Sequence, residues 1–435
     1  MKVYFYSLGC KVNQYDTEAM TERFRDAGWT ISAQADGCDA FIVNSCTVTA
    51  ESDRKTRQAV RRFKRNNPEA VVVLCGCMPQ AFPEKAAQLS EADIITGNRD
   101  HMAILHDIEE YMNRLEEEKT QVVDIAEHAR GDLFEDTGIS ASFAGRTRAV
   151  IKVQDGCDRY CSYCIIPTAR GRSRSRSMES IEKELKNIKA AGYREVVLVG
   201  INFTCYGLDI GRTFVDPIAL ACSLGFDRVR IGSLEYDNIT DEAIEKLSKL
   251  ENFCPQFHMS LQSGCNSTLK TMRRHYTTEE YEETCRKLRA TWPDTAITTD
   301  IMVGFPGETE EDFITSMEFA KRIGFEKIHV FPYSPREGTK AAEMEQIPKH
   351  IKEKRSHRMI KTADEIRERF LQSCVGKTVP VLAETYENGM ASGHTENYTP
   401  VSFPSPRPLH NEIVDVNILQ IKDGVCIGRR KEELL

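Results

Sequence analysis

The sequence lacks the features that would place the protein in or across a membrane. It has no run of about 18 consecutive apolar residues, so we expect no membrane span. Residues 1–6 enter a strand-like pattern directly, and no signal peptide is expected. We therefore expect a cytoplasmic protein in a reducing compartment, where its 15 cysteines serve metal binding or catalysis rather than disulfides.

The sequence also lacks an excess of positive charge, because its formal net charge is −8. An acidic total is not typical of a nucleic-acid-binding protein, but local basic patches can still hold phosphates. Basic blocks at residues 54–65 and 349–361 are most simply solvated helix faces. The run at residues 170–176 instead alternates arginine with serine or glycine. It predicts phosphate-binding side chains, which are Arg170, Arg172, Arg174 and Arg176.

Three cysteines in one short segment form the most informative pattern. Cys157, Cys161 and Cys164 are spaced Cys-x3-Cys-x2-Cys after a strand-like run, and we name them the radical site. This spacing can bind three irons of a [4Fe–4S] cluster and leave the fourth iron open for a substrate or cofactor. The alternatives are a zinc site or unrelated buried thiols. Zinc sites usually pair Cys-x2-Cys with a second such pair or with histidines, and no second pair lies nearby.

The spacing resembles the signature of the radical S-adenosylmethionine (SAM) enzymes. This resemblance implies that the amino and carboxylate groups of SAM chelate the open iron. It also implies that Cys157, Cys161 and Cys164 carry the catalytic cluster.

The first segment, residues 1–130, alternates strand and helix patterns. Strands are predicted at residues 3–8, 40–44 and 70–74, and helices at residues 15–27 and 51–66. Strand and helix alternation of this length predicts a parallel α/β sheet. Residues 107–119 are predicted to be helical, and residues 130–145 are predicted to be a linker.

A cysteine follows each of these three predicted strands. Cys10, Cys46 and Cys77, which we name the auxiliary site, should meet beyond the carboxyl edge of the sheet, where open α/β sheets bind ligands. We therefore predict a second cluster with three ligands and one open iron. Cys75 could replace Cys77, although Gly76 lets the backbone turn close to a metal and favours Cys77. The alternative is a set of buried core thiols.

The second segment, residues 146–374, repeats a strand followed by a helix six times. Strands are predicted at residues 149–153, 196–199, 228–231, 257–261, 296–302 and 327–331, and the clearest helices at residues 178–190, 240–250 and 279–290. Six units are too few for a closed eight-stranded barrel. They suit the open partial (β/α)6 barrel of radical SAM enzymes, whose active site should lie at the carboxyl ends of the strands.

Glycine-containing and polar motifs follow several of these strands. Glycines at such positions allow the backbone to approach an adenine closely. The predicted SAM contacts are Gly200, Asn202, Gln262, Asp300, Val303 and Gly304.

The third segment, residues 375–435, is predicted to contain short strands at 377–382, 390–394, 399–403, 412–421 and 426–429. Gly, Pro and Asn lie between them, which predicts a small β-barrel of the oligonucleotide-binding kind. The stretch at residues 393–398, GHTENY, resembles the RNA-binding TRAM domain. The alternative is a purely structural β-cap.

Taken together, these features resemble the radical SAM methylthiotransferase family over nearly the whole chain. Residues 7–18, SLGCKVNQYDTE, resemble the branch that acts on threonylcarbamoyladenosine in tRNA. Residues 165–171, IIPTARG, fit the tRNA branches. Cys205 and Cys265 depart from the family's pattern near the pocket rim.

The resemblance implies methylthiolation of carbon 2 of the modified adenosine beside the anticodon. A cluster at the radical site would give one electron to SAM and cleave it to a 5′-deoxyadenosyl radical. This radical is strong enough to take hydrogen from the unactivated carbon. The auxiliary site would hold the sulfur, which a second SAM methylates. The implied partners are a tRNA anticodon stem-loop, an electron donor such as a flavodoxin or ferredoxin, and a sulfur donor. The target base leaves its stack to react, and the four arginines would hold the loop.

Other functions fit parts of the same pattern. Within the family, the substrate could be isopentenyladenosine in tRNA or a ribosomal protein aspartate, which assays on tRNA and protein separate. A different class would be a non-catalytic iron–sulfur RNA-binding protein, which would fail to cleave SAM under reducing conditions.

Overall fold

Six parallel strands form the N-terminal sheet of the computed structural model, which describes residues 1–137 and 146–434. The predicted parallel α/β arrangement is confirmed, with strand order β2-β1-β3-β4-β5-β6. The predicted linker falls partly on residues 138–145, which lie outside the described residues. The elements are β1 (Lys2–Ser7), α1 (Lys11–Asp26), β2 (Thr30–Ile31), β3 (Ala40–Ser45), α2 (Ala50–Asn66), β4 (Val71–Gly76), α3 (Cys77–Ala81), α4 (Pro83–Ala87), β5 (Ile94–Thr96), α5 (Ile104–Asn113) and β6 (Val122–Asp124).

Helices cover both faces of this sheet because its central strands are apolar on both sides. Side chains of β3 and β4 alternate between a core beneath α1 and α5 and a second core beneath α2 and α4. The α5 helix ends at Asn113, earlier than predicted. Its buried face stops at Tyr111, and the glutamates at Glu116–Glu118 form only a short 3-10 turn.

The central segment is an open partial barrel of six parallel strand positions, which confirms the predicted (β/α)6 architecture. Gly232 divides the third position into β11 and β12, and the order runs β7-β10-β11 and then β12-β13-β14-β15. The elements are β7 (Arg148–Lys152), β8 (Gln154–Asp155), α6 (Ile166–Arg170), β9 (Arg174–Ser175), α7 (Met178–Ala190), β10 (Glu195–Val199), α8 (Val215–Ser223), β11 (Arg228–Ile231), β12 (Ser233–Leu234), α9 (Asp241–Ser248), β13 (Gln256–Met259), α10 (Asn266–Thr271), α11 (Thr278–Thr291), β14 (Ala296–Val303), α12 (Glu310–Ile323), β15 (Lys327–Pro332) and α13 (Lys349–Gln372).

Helices cover the two edges of the barrel. The α13 helix packs on β15, and α1 from the N-terminal segment packs on β7. Lys152 Nζ donates to Asp16 Oδ1 at 2.8 Å, and Tyr15 Oη donates to Glu184 Oε2 at 2.9 Å. These buried polar contacts fix how the N-terminal sheet sits against the barrel.

The C-terminal segment is a closed five-stranded β-barrel, as predicted, in the order β16-β17-β18-β20-β19. Its strands are β16 (Thr378–Glu387), β17 (Met390–His394), β18 (Pro400–Pro404), β19 (Ile413–Lys422) and β20 (Val425–Arg430). The stretch at residues 393–398 docks on the central barrel. Arg228 Nη1 donates to His394 O at 2.9 Å, and Arg230 Nη1 donates to Glu396 O at 2.8 Å.

Within the described residues, no helix combines the length and the apolar character that crossing a membrane requires. The three segment boundaries, 1–130, 146–374 and 375–435, stay predictions.

Candidate active site

The auxiliary-site cysteines lie at the carboxyl edge of the N-terminal sheet, around the point where the connections from β1 and β3 leave in opposite directions. Cys10 is the N-cap of α1, Cys46 follows β3, and Cys77 begins α3. A methyl group on Gly9 would lie 3.0 Å from Cys46 Sγ, so Gly9 lets Cys46 approach the turn that carries Cys10. The fold therefore places the three cysteines at one edge of the sheet, and their role as cluster ligands stays a prediction.

Burial dominates the electrostatics of the auxiliary site. It raises the pKa of Cys77 to about 12, and the neighbouring Cys46 and Cys10 add to this rise while Arg170 opposes it. Burial also raises the pKa of Cys46, with a further contribution from Cys10. These mutual effects show that the three thiols are close enough to interact.

Cys75 occupies a different environment. Its Sγ lies 3.7 Å from Val43 O, and its side chain packs in the core beneath α1 and α5. Gly76 adopts a φ of 92° and turns the chain before Cys77. The structure therefore favours Cys77 over Cys75 as the third ligand.

The radical site lies on the loop after β8. A methyl group on Gly156 would meet a carbonyl oxygen at 1.9 Å, so only glycine fits before Cys157. Asn202 Nδ2 points at Cys157 Sγ at 3.8 Å, and Arg274 Nη1 donates to Cys161 Sγ at 3.5 Å. Donors of this kind tune the thiolate ligands of iron–sulfur clusters.

The chemistry of both cysteine sites fits four-iron clusters. Burial raises the pKa of Cys157 to about 12 and also raises that of Cys164, so these thiols keep their protons until a metal displaces them. Among the described residues, no three His, Cys, Asp or Glu side chains are grouped tightly enough for a single metal ion.

One cavity is lined by Cys164 of the radical site and by residues that follow Cys46 of the auxiliary site. Val48 and Thr49, which follow Cys46 closely, form one wall, and Cys164 with its neighbours forms another. The carboxyl ends of β14 and β15 complete it, as expected for a barrel enzyme. A substrate bound here would lie beside Cys164 and beside Val48, which is two residues after Cys46.

Four of the six predicted SAM contacts lie beside the radical site or in this cavity. Gly200 and Asn202 follow β10. The backbone N–H of Asn202 donates to Gln154 Oε1 at 2.8 Å. Gln262 and Asp300 line the cavity. Gln262 has a φ of 67°, and its buried Oε1 has no hydrogen-bond partner within the described chain. A buried acceptor left open in this way is suited to a ligand.

Val303 and Gly304 have packing positions instead. The Val303 side chain is buried in the barrel core, and a methyl group on Gly304 would lie 2.6 Å from Lys352 Cγ on α13. Neither residue borders the cavity. The structure thus gives both residues packing roles, the glycine being required by the approach of α13, and their contacts with SAM stay predictions.

Three of the four arginines predicted to hold RNA are buried. Arg170, Arg174 and Arg176 are 0%, 6% and 1% exposed, which places their charges out of reach of a phosphate backbone. Arg172 is exposed and lies 3.8 Å from the exposed carboxylate of Asp158. The predicted RNA contact is therefore wrong for the three buried arginines. They turn inward because they form ion pairs with buried carboxylates.

Arg170 joins the two cysteine sites. Its guanidinium donates to Asp16 Oδ2 on α1 and to both carboxylate oxygens of Asp155, each at 3.1 Å, and it also donates to Asn13 Oδ1. The α1 helix begins next to Cys10, and Asp155 directly precedes the loop of the radical site. Arg170 therefore sets the position of one site relative to the other.

Replacing Arg170 by alanine should lower the free energy of unfolding of the metal-free protein by about 3 kcal/mol, because it leaves Asp16 and Asp155 buried with only part of their counter-charge. Urea unfolding followed by tryptophan fluorescence measures this. The matched control is Arg172→Ala, whose exposed side chain should cost less than about 0.5 kcal/mol. Equal losses in the two variants would contradict the assigned role of Arg170.

Sequence reasoning missed Glu235 and Arg274. Glu235 follows β12, the carboxyl end of the third strand position, and this placement could have marked it as a site residue. Arg274 forms an ion pair with Glu235 and donates to Ser260 O at 2.9 Å beside Cys161. It belongs to a turn after α10, where no sequence pattern singled it out.

The two cysteines that departed from the family's pattern have different surroundings. Cys205 contributes to the raised pKa of Cys157, which follows from its closeness to the radical site. Cys265 precedes α10 as its N-cap residue, and its Sγ donates to Asp312 Oδ1 in the first turn of α12 at 3.1 Å.

A three-cysteine loop at the carboxyl ends of six parallel strand positions defines a radical SAM enzyme. In agreement, residues 151–320 match the Radical SAM superfamily, and residues 2–97 match the Uncharacterized protein family UPF0004. The fold resembles that of the radical SAM methyltransferase TsrM from Kitasatospora setae, with a TM-score of 0.53 and 15% identity over 90% of this chain and 76% of that one.

Comparison with curated relatives shows to which family of radical SAM enzymes the chain belongs. The Threonylcarbamoyladenosine tRNA methylthiotransferase MtaB of Bacillus subtilis is 38% identical over 96% of this chain and 94% of its own. The protein of the same name from Aquifex aeolicus is 37% identical over 92% and 95%. The tRNA-2-methylthio-N(6)-dimethylallyladenosine synthase of Caldicellulosiruptor saccharolyticus is 33% identical over 95% and 88%. The chain belongs to the radical SAM methylthiotransferase family, whose cofactors are SAM and two [4Fe–4S] clusters.

Proposed function

We propose that this enzyme methylthiolates carbon 2 of threonylcarbamoyladenosine next to the anticodon of tRNA. The observation that carries the proposal is a cavity lined both by Cys164 of the radical site and by Val48 and Thr49, which follow Cys46 of the auxiliary site. Hydrogen removal and sulfur transfer at one carbon require two reactive centres around one substrate position. The names of the relatives at 38% and 37% identity support the modified adenosine as substrate.

The residues of the chain hold and orient the reactants. The radical site would hold one cluster and the auxiliary site the other, and these groups with SAM supply the radical and sulfur chemistry. Gly200, Asn202, Gln262 and Asp300 would contact SAM. Apolar side chains of the cavity wall, such as Met302 and Phe331, suit a flat purine ring and exclude water.

Nucleoside mass spectrometry tests the substrate directly. We expect tRNA from cells that lack this protein to lose 2-methylthio-threonylcarbamoyladenosine and to regain it on complementation. In vitro, an anticodon stem-loop with threonylcarbamoyladenosine should react, whereas one with isopentenyladenosine and a ribosomal protein should not. Reaction of either of the latter two alone would replace the proposed substrate.

The tRNA would be held at the exposed surface around the cavity, and Arg172 is the remaining candidate of the arginine run. Replacing Arg172 by alanine should weaken stem-loop binding and lower the slope of log affinity against log salt by roughly one unit, because one phosphate contact is lost. Salt titrations measure this slope. Arg286→Ala, on the outer face of α11, is the control and should leave the slope unchanged. An unchanged slope in the Arg172 variant would remove it from the interface.

The remaining partners belong to the same proposal. The reaction consumes electrons and sulfur, so the enzyme needs a one-electron donor, such as a flavodoxin or ferredoxin, and a sulfur donor. The C-terminal barrel would contact RNA through the surface that is not docked on the central barrel. We infer that the enzyme works in the cytoplasm, where tRNA is modified.

A further inference from the structure

A basic groove runs along the outer side of the loop that carries the radical site. Arg159 and Tyr160 of this loop form one wall, and residues from α10 to the start of α11 form the other. The second wall carries four basic side chains, which are Lys270, Arg273, Arg274 and His275. Glu280 is the one carboxylate that borders the groove in the described part of the chain.

The loop separates this groove from the substrate cavity. Cys161 borders a narrow cleft with Arg274 and Glu235 that continues the groove inward. Cys164, by contrast, borders the cavity. The same cysteine loop therefore has an outer, basic side and an inner, substrate side.

A single side chain, that of Arg274, connects the groove to Cys161 of the radical site. Arg274 lines the groove, and its Nη1 lies 3.5 Å from Cys161 Sγ. Tyr160 is 51% exposed and directly precedes Cys161 in sequence. A redox group docked against Tyr160 would lie beside the radical site.

The charge of the groove is opposite to that of the protein as a whole, whose net charge is −8. Lys270, Arg273 and His275 are exposed. Such a local field attracts an acidic surface and raises its association rate. A stacked nucleotide would also fit an aromatic and basic groove, but the loop would hold it apart from the cavity where its base must react.

We propose that this groove is the docking site of an acidic one-electron carrier protein of the flavodoxin type. The inference rests on the proposed function, because only a cluster that must be reduced needs such a partner. One electron leaves the reduced flavin of the carrier and enters the cluster of the radical site. The carrier is thereby oxidised by one electron, the cluster is reduced by one, and no bond forms or breaks between the two proteins.

The test compares three double variants of the anaerobically reconstituted full chain with wild type. K270E/R273E reverses the charge of the groove. K55E/R65E makes the same charge change in a second basic groove, which lies on α2 and also contains a tyrosine, Tyr6. Stopped-flow absorbance follows cluster reduction by purified reduced flavodoxin and, separately, by dithionite.

We expect K270E/R273E to slow reduction by flavodoxin about tenfold at low salt, because association loses its electrostatic attraction. The difference should shrink as salt screens the charges. Excess dithionite should reduce the same fraction of the cluster in wild type and in every variant, which shows that the cluster is intact. K55E/R65E should match wild type with both reductants. K270Q/R273Q removes the charge without reversing it. Its rate of reduction by flavodoxin should lie between those of wild type and K270E/R273E.

Equal flavodoxin rates in wild type and K270E/R273E would overturn the proposal. Weaker binding of an anticodon stem-loop by K270E/R273E with an unchanged flavodoxin rate would also overturn it and assign the groove to RNA. Failure of the proposed function has a separate signature, since it would appear as absent product from tRNA while the flavodoxin reduction rates still differ.

Discussion

Replacing Cys157, Cys161 and Cys164 by alanine is expected to abolish cleavage of SAM and to remove about half of the iron. The reconstituted wild type should bind about eight irons in two clusters, and the triple variant about four. The physical reason is that the two sites belong to different sheets, so the auxiliary site still forms. Iron and sulfide assays, and chromatographic detection of 5′-deoxyadenosine, measure the two effects.

The expected control is a variant of a buried thiol outside both sites. Cys285→Ala alters a core cysteine of α11 and should retain all the iron. Full iron retention in the radical-site triple variant would refute the assignment of that cluster. Loss of all iron would mean that the two sites do not assemble independently.

Replacing Cys10, Cys46 and Cys77 by alanine should abolish methylthiolation while SAM cleavage stays measurable. The radical site and the strand-end residues Asn202 and Asp300 remain in place, so the central barrel still binds and cleaves SAM. Product nucleoside and 5′-deoxyadenosine are quantified in the same reaction. Continued formation of the methylthio product would show that the auxiliary site is misassigned.

Single replacements of Cys77 and Cys75 test which of the two is the third ligand of the auxiliary site. Cys77→Ala should lose methylthiolation, whereas Cys75→Ala should retain it, because the Cys75 thiol lies in the core against Val43. Partial activity of the Cys77 variant, lost when Cys75 is also replaced, would identify Cys75 as a substitute ligand.

The inward arginines change how the basic run at residues 170–176 is understood. A run of arginines close after a cysteine motif predicts phosphate contacts, but Arg170, Arg174 and Arg176 meet buried Asp155, Asp16 and Glu184 instead. Their carboxylate partners are spread from α1 to α7. No local pattern reveals such pairs: Arg170 meets Asp16 only when the N-terminal sheet packs against the barrel, and the ion pairs with Asp155 and Glu184 form only when the central barrel folds.

The sequence by itself determined the strand and helix order, the two groups of three cysteines and the family. These features depend on periodicity and spacing along the chain, and parallel strands bring their carboxyl ends together whatever the surrounding loops do. Even the choice of Cys77 followed from Gly76, whose φ of 92° the sequence could anticipate from a glycine at a strand end.

Only the tertiary structure decided which side chains reach the surface and which reach the site. Whether an arginine faces solvent or a buried carboxylate depends on how elements pack, as for Arg170 and Asp16, whose bond spans 154 positions. Packing also decides that Gly304 makes room for α13 and that Arg274 reaches Cys161 from a turn with no motif. Side-chain burial is set by packing between segments, and local sequence does not encode it.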